Sequence, residues 1–128
     1  MLDTNAVSSL IKAHPQMARR VVAASMASLC ISAVTGDELL FALAKRLDAR
    51  KLHLAVGEFL RRVDVLPWDA AVATRYGTIL ADLQRQGKRL APLDMLIATH
   101  ALCVGAVLVT NDRAFSQVSD LDIEDWTV

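Results

Sequence analysis

Aromatic residues are scarce, at 5% of the 128 positions, although hydrophobic residues reach 54%. A core made from this chain is therefore mostly Ala, Val, Leu and Ile, which leans towards helices or small α/β layers. Excess charge is missing too: 14 basic residues balance 14 acidic ones. That excludes a global basic field for unspecific nucleic-acid binding, so any RNA or DNA contact must come from a local patch. Only two cysteines occur, Cys30 in SLCIS and Cys103 in ALCVG. Their spacing excludes a cysteine metal site, and their apolar surroundings predict buried, reduced thiols in a cytoplasmic protein. No charged segment precedes an apolar run, so no signal peptide is expected. The longest apolar-dominated stretch, 92–110, is broken by Asp94, His100 and Gly105, which excludes a membrane span. Repeats, low-complexity runs and linkers are absent. The expectation is one domain over residues 1–128, with leftover apolar surface that suits a dimer or a tightly bound partner.

Against this plain background, four acidic residues stand where strands should end and helices begin. They are Asp3 in MLDTN, Glu38 in ISAVTGDEL, Asp94 in APLDMLIA and Asp112 in VLVTNDRAF. Met1–Leu2 reads as the stub of a strand, followed by a short helix in AVSSLIK after the turn and cap types Thr4 and Asn5. Pro15 opens a helix, PQMARRVVAASMA. LCIS reads as a buried strand, and Ser32 or Thr35 can cap the helix DELLFALAKRL. A further helix covers 50–63, with Leu52, Leu54, Val56, Phe59 and Leu60 on its buried side. VDVLPW is a strand stopped by Pro67. Asp69 caps a long helix ended by Gly87, and Pro92 starts another ended by Gly105. AVLVT has the continuous apolar character of a strand buried on both faces. NDRAF turns into a short helix, and LDIEDW is an edge-like last strand.

Strands alternating with helices predict a three-layer α/β fold, a mostly parallel sheet with helices on both faces. Ligands of such sheets bind beyond the carboxyl ends of the strands. Asp3 and Asp112 follow strands directly. Glu38 is expected in the first turn of its helix, as is Asp94. Asp37 points about 100° away from Glu38 on a helix, so only one of the pair faces the cleft. Carboxylates gathered this closely do not all stay ionised without a cation between them. An all-oxygen set with no Cys or His suits Mg²⁺ or Mn²⁺ better than Zn²⁺. Such an ion points to phosphodiester or phosphoryl chemistry. Asp3 and Asp112 are expected to touch the metal, and Asp94 to ligate it directly or through water. Glu38 is expected to hold a water or orient the nucleophile.

The strings MLDTN, ISAVTGDEL, PLDMLIATHAL and LVTNDRAF resemble the signature blocks of PIN-domain ribonucleases, nearest to the VapC-type toxins of bacterial toxin–antitoxin pairs. The resemblance runs from Met1 to Trp126. It implies that Asp3, Glu38, Asp94 and Asp112 are the catalytic acids. It also implies that Thr4 and Asn5 match the polar pair after the first acid, and that Thr110 matches the hydroxyl residue before the last. The implied activity is a Mg²⁺- or Mn²⁺-dependent endoribonuclease that cuts tRNA or another structured RNA and stops translation. The implied partners are a VapB-like antitoxin that blocks the cleft and a second copy of the chain. Two departures stand out: only Met1 and Leu2 precede the first acid, and Ala42 stands where a Gly is usual.

RNA also needs positive charge near the metal. Arg113, beside Asp112, is the leading candidate, with Arg75, Arg85, Lys88 and Arg89 further off. The apolar helical segments 17–26 and 39–47 offer an antitoxin groove or simply core. His100 reads as packing or surface, His14 and His53 as isolated surface residues, and Trp68 and Trp126 as plugs at the core edge. Two other readings compete. A phosphatase with Asp3 as nucleophile wants a second Asp two residues on, where Asn5 stands. A non-catalytic interaction module would keep the acids only for binding or fold.

Overall fold

A stub of chain shorter than any ordinary strand completes the sheet. The structure is a computed structural model that describes residues 1–128. It has β1 (Cys30–Ser32), β2 (Asp64–Leu66), β3 (Leu108–Val109) and β4 (Ile123–Glu124). The pairs β1–β2 and β3–β4 are both parallel, with Ile31 opposite Val65 and Leu108 opposite Ile123. Between them lies Met1–Asp3. Leu2 donates its N–H to the Cys30 carbonyl at 2.9 Å, and Asp3 donates to Val109 at 3.1 Å while Val109 returns a bond to Met1 at 2.8 Å. Leu2 and Val109 form a parallel bridge. The sheet thus runs β2, β1, stub, β3, β4, all parallel, as expected. The Met1 nitrogen is also tied in, donating to the Val107 carbonyl at 2.7 Å.

Helices cover both faces: α1 (Thr4–Ile11), α2 (Pro15–Ala24), α3 (Ala33–Lys45), α4 (Arg50–Arg62), α5 (Ala70–Arg85) and α6 (Pro92–Val104). Side chains alternate across a strand, so successive residues feed opposite layers. Leu2, Ile31 and Val109 join Val7, Met17, Val56 and Phe59 in one core. Met1 and Leu108 join Ile97, Ala98, Ala101 and Phe115 in the other, with Cys30 packed against it. Each fully buried Leu or Ile contributes roughly 1.5–3 kcal/mol. None of the helices is long and apolar enough to cross a membrane.

Local chemistry sets most boundaries. Asp69 caps α5 by accepting the Val72 N–H at 3.0 Å. Gly105 ends α6 in the left-handed region at φ 66°, where a side chain would strain the backbone. Several expectations need correction. The second helix stops at Ala24, because Ser25 turns to φ 64° and a 3-10 turn, Met26–Ser28, follows. Ser32, not Thr35, caps α3, accepting the Val34 N–H at 3.1 Å. The helix therefore starts at Ala33, and Glu38 lies in its second turn rather than its first. Leu54 is 70% exposed and faces solvent, so the buried side of α4 is narrower than expected. The last two strands are each only two residues long. His14 is not isolated: it caps α2 and lies within electrostatic reach of Asp125. Nor is His53, whose Nε2 meets the Arg46 carbonyl at 2.9 Å.

Candidate active site

Parallel pairing puts every strand's carboxyl end on one edge, and that edge delivers the four acids. Asp3 ends the stub and begins α1, where its Oδ1 accepts the Ala6 N–H at 2.7 Å. Asp112 follows β3 and caps the 3-10 turn Arg113–Gln117, accepting the Ala114 N–H at 2.9 Å. Both are capping geometries, so each carboxylate is held by backbone. Glu38 rides on α3 and Asp94 on α6, whose first turn it occupies. Asp37 is exposed and Glu38 half-buried, which assigns the inward member of that pair.

The acids feel one another. Asp3 is only 3% exposed, and burial pushes its carboxyl above the ordinary value of 3.8. Hydrogen bonds from the Thr110 hydroxyl and the Ala6 amide oppose the rise, while the charges of Asp112 and Glu38 add to it. Asp94 is raised as well, first by burial, then by Asp112, Glu38 and Asp3 in turn. Like charges within reach disfavour ionisation, so mutual repulsion is the signature of a shared site. As the side chains stand, no three of them close into a tight cage for an ion. The donor set still fits a hard divalent cation: all the donors are carboxylate oxygens, and Mg²⁺ is commonly held by one or two carboxylates with waters completing its shell.

Hydroxyls and amides fasten these segments together. Thr4 donates to Glu38 Oε1 at 2.6 Å, tying α1 to α3. Thr110 bonds the Asp3 carboxylate and accepts the Asp112 N–H at 3.0 Å, tying the stub to the last acid. The Gln117 side chain clamps the loop before Asp94, donating to the Arg89 carbonyl at 2.6 Å and accepting the Arg89 N–H at 3.2 Å. His100 is buried, and its Nδ1 lies 2.7 Å from Ser32 Oγ. Burial lowers the His100 pKa below 6.5, with Asp69 opposing, so the ring is neutral at pH 7. Sequence reasoning expected Thr4 and Thr110 as supporting residues but missed Gln117 and the Ser32–His100 pair. Only a long-range contact identifies them, and no local signal encodes it. Asn5 is exposed on α1.

Two concavities flank the acids. One of about 230 Å³ is lined by Thr110, Asn111, Asp112, Arg113, Ser116 and Asp125, which sets the exposed Arg113 beside Asp112. The other, about 250 Å³, is lined by Val34, Asp37, Glu38, Phe41, Leu93 and Leu96, so the exposed Asp37 also borders it. A larger hollow, about 460 Å³, lies between α5 and the start of α6 and is lined by Lys88 and Arg89 but by no acid. Arg85 is paired with Asp82 at 3.1 Å, whereas Arg75 and Arg89 are exposed.

A parallel sheet layered by helices, with acids from four segments at its carboxyl edge, defines a class. The PIN domain family matches residues 1–121. The chain belongs to the PIN-domain family, as the resemblance implied, and its relatives bear the name VapC. It is 43% identical to the tRNA(fMet)-specific endonuclease VapC of Shigella flexneri over 99% of this chain and 97% of that one. It is 40% identical to the protein of the same name from Salmonella typhimurium, over 98% and 96% of the two chains. Among solved structures, DNA-bound VapBC from Salmonella typhimurium superposes with a TM-score of 0.91 at 37% identity, covering 98% of this chain and 96% of that one. VapBC2 from Rickettsia felis bound to a promoter DNA fragment gives 0.89 at 27% identity, covering 97% and 96%.

Proposed function

We propose that this protein is a Mg²⁺- or Mn²⁺-dependent endoribonuclease, the toxin of a toxin–antitoxin pair, which cuts tRNA or another structured RNA and so inhibits translation. The observation that carries the reading is the gathering of the acids at the carboxyl edge of the sheet, where burial first, and then the charges of neighbouring carboxylates, raise Asp3 and Asp94. The names of the relatives support the RNA substrate, and the solved VapBC neighbours support a VapB-like antitoxin. A homodimer is part of the proposal.

Asp3, Asp94 and Asp112 hold the ion in this reading. When bound, a divalent ion supplies positive charge against the scissile phosphate and acidifies the attacking water. Glu38 accepts a proton or hydrogen bond from that water, and Thr4 keeps its carboxylate turned to the task. The Thr110 hydroxyl works against the rise that burial imposes on Asp3. Arg113 contacts the RNA backbone from the polar concavity beside Asp112. Asn5 is exposed on α1, two residues after the first acid.

The test is cleavage of total tRNA by purified, metal-stripped protein. Cutting is expected with Mg²⁺ or Mn²⁺ and not with EDTA. Metal-independent cutting, or none under any metal, contradicts the reading. Co-expression of the neighbouring small open reading frame should restore growth if it encodes the antitoxin.

A further inference from the structure

The helices that carry Glu38 and Asp94 share one buried polar fastening. Ser32 opens α3 and His100 lies on α6, with 2.7 Å between Oγ and Nδ1. Ser32 Oγ also accepts the Val34 N–H, so one hydroxyl both caps α3 and binds α6. Ser32 is 0% exposed and His100 1%. The imidazole edge also packs against Trp68, with centroids 5.7 Å apart and planes at 82°. On the same two helices, the buried hydroxyls of Thr35 and Thr99 have no partner at all. No other side-chain hydrogen bond or salt bridge joins α3 to α6. Apolar packing resists separation but tolerates sliding, because it is non-directional. A hydrogen bond weakens steeply with distance and angle, and a buried one left unmade is costly. The Ser32–His100 bond therefore fixes the axial register of α3 on α6.

We propose that His100 is a positioning residue for the metal site: through Ser32 it sets where Glu38 stands relative to Asp94. The claim rests on the nuclease reading above. His100 lies six residues beyond Asp94, about 9 Å along the helix, and touches no reacting atom. Its effect reaches the acids only through helix register, as outer partners of metal ligands act on theirs.

The experiment compares the parent with His100→Phe, His100→Asn and Ser32→Ala at low temperature, where each is folded by circular dichroism. Phe keeps the ring and its contact with Trp68 but cannot bond Ser32. Asn offers a hydrogen-bonding group near the place of Nδ1. Mn²⁺ affinity is read by electron paramagnetic resonance without RNA, and cleavage is read separately. H100F should lose roughly ten-fold or more in both. H100N should recover most of each, and S32A combined with H100F should lose no more than S32A alone. A purely structural role lowers the melting temperature and leaves Mn²⁺ affinity of the folded protein unchanged. Affinity and cleavage of H100F within two-fold of the parent overturn the proposal, as does an H100N as impaired as H100F. If H100F does not fold, S32A decides by the same limits. A parent that cuts no RNA sinks the nuclease reading; a parent that cuts beside an unimpaired H100F sinks only this inference.

Discussion

Two of the acids come off strands and two ride on helices, and the molecule holds the pairs differently. Asp3 and Asp112 each accept a backbone N–H, at 2.7 and 2.9 Å, so each is at once a candidate ligand and a cap. Glu38 is held by the Thr4 hydroxyl, and Asp94 has no fastening of its own beyond its helix. The strand-borne pair is held by backbone caps and by the bonds that tie the stub into the sheet. The helix-borne pair depends on side-chain fasteners: Thr4, Ser32 with His100, and Gln117 against Arg89. In the first pair one side chain serves both fold and site; in the second the fastening is done by other side chains.

The largest effect should come from the strand-borne acids. Asp112→Asn and Asp3→Asn should each reduce RNA cleavage beyond the roughly hundred-fold upper range of an outer-shell loss, because they remove a direct donor. Both should still fold, since Asn caps a helix about as well as Asp. Undiminished cleavage by either, measured at saturating Mn²⁺, removes that residue from the site. The helix-borne side should respond less. Thr4→Val leaves Glu38 unfastened and should cost roughly ten-fold in cleavage rate, while Glu38→Gln should cost at least as much. If Thr4→Val proves the more harmful of the two, the difference between the pairs is misdrawn.

Stability separates the pairs more finely. Asp3→Ala loses a cap, worth about 1 kcal/mol, whereas Asp3→Asn keeps it. Asp3→Asn also removes a charge that burial and its neighbours penalise. A carboxyl whose folded pKa lies above its unfolded value destabilises the fold when ionised, and the penalty fades as pH falls through the raised pKa towards 3.8. Metal-free Asp3→Asn should therefore melt above the parent at pH 7, and the gap should close on acidification. Asp3→Ala should melt below Asp3→Asn at every pH. The smallest effect is a shift in a profile. Thr110→Val removes a hydrogen bond that lowers Asp3, so the acid limb of the pH–rate curve should move to higher pH. A shift the other way would show that Thr110 does not lower the Asp3 pKa.

Much of this was legible before any coordinates. Alternation of short apolar runs with helical periodicity carried the layered parallel sheet, and Pro15, Asp69, Pro92 and Gly105 marked boundaries because their local chemistry is decisive. The placement of Asp3 and Asp112 beyond strands was readable for the same reason. What stayed hidden was non-local. The bonds across the stub, which make two residues serve as a central strand, depend on Cys30 and Val109 far along the chain. Glu38 lies one turn later than expected because Ser32 and Thr35 are equally good caps in sequence, and only the bond from the Val34 N–H to Ser32 decides between them. His100 was readable as a packing residue and not as the partner of Ser32, which lies 68 positions away.

The most direct measurement is an isothermal titration of Mn²⁺ into metal-free protein, the parent beside Asp112→Asn, with no RNA present. The account predicts saturable binding in the parent and its loss in the variant. Equal binding by both, or none by the parent at millimolar Mn²⁺, would contradict it.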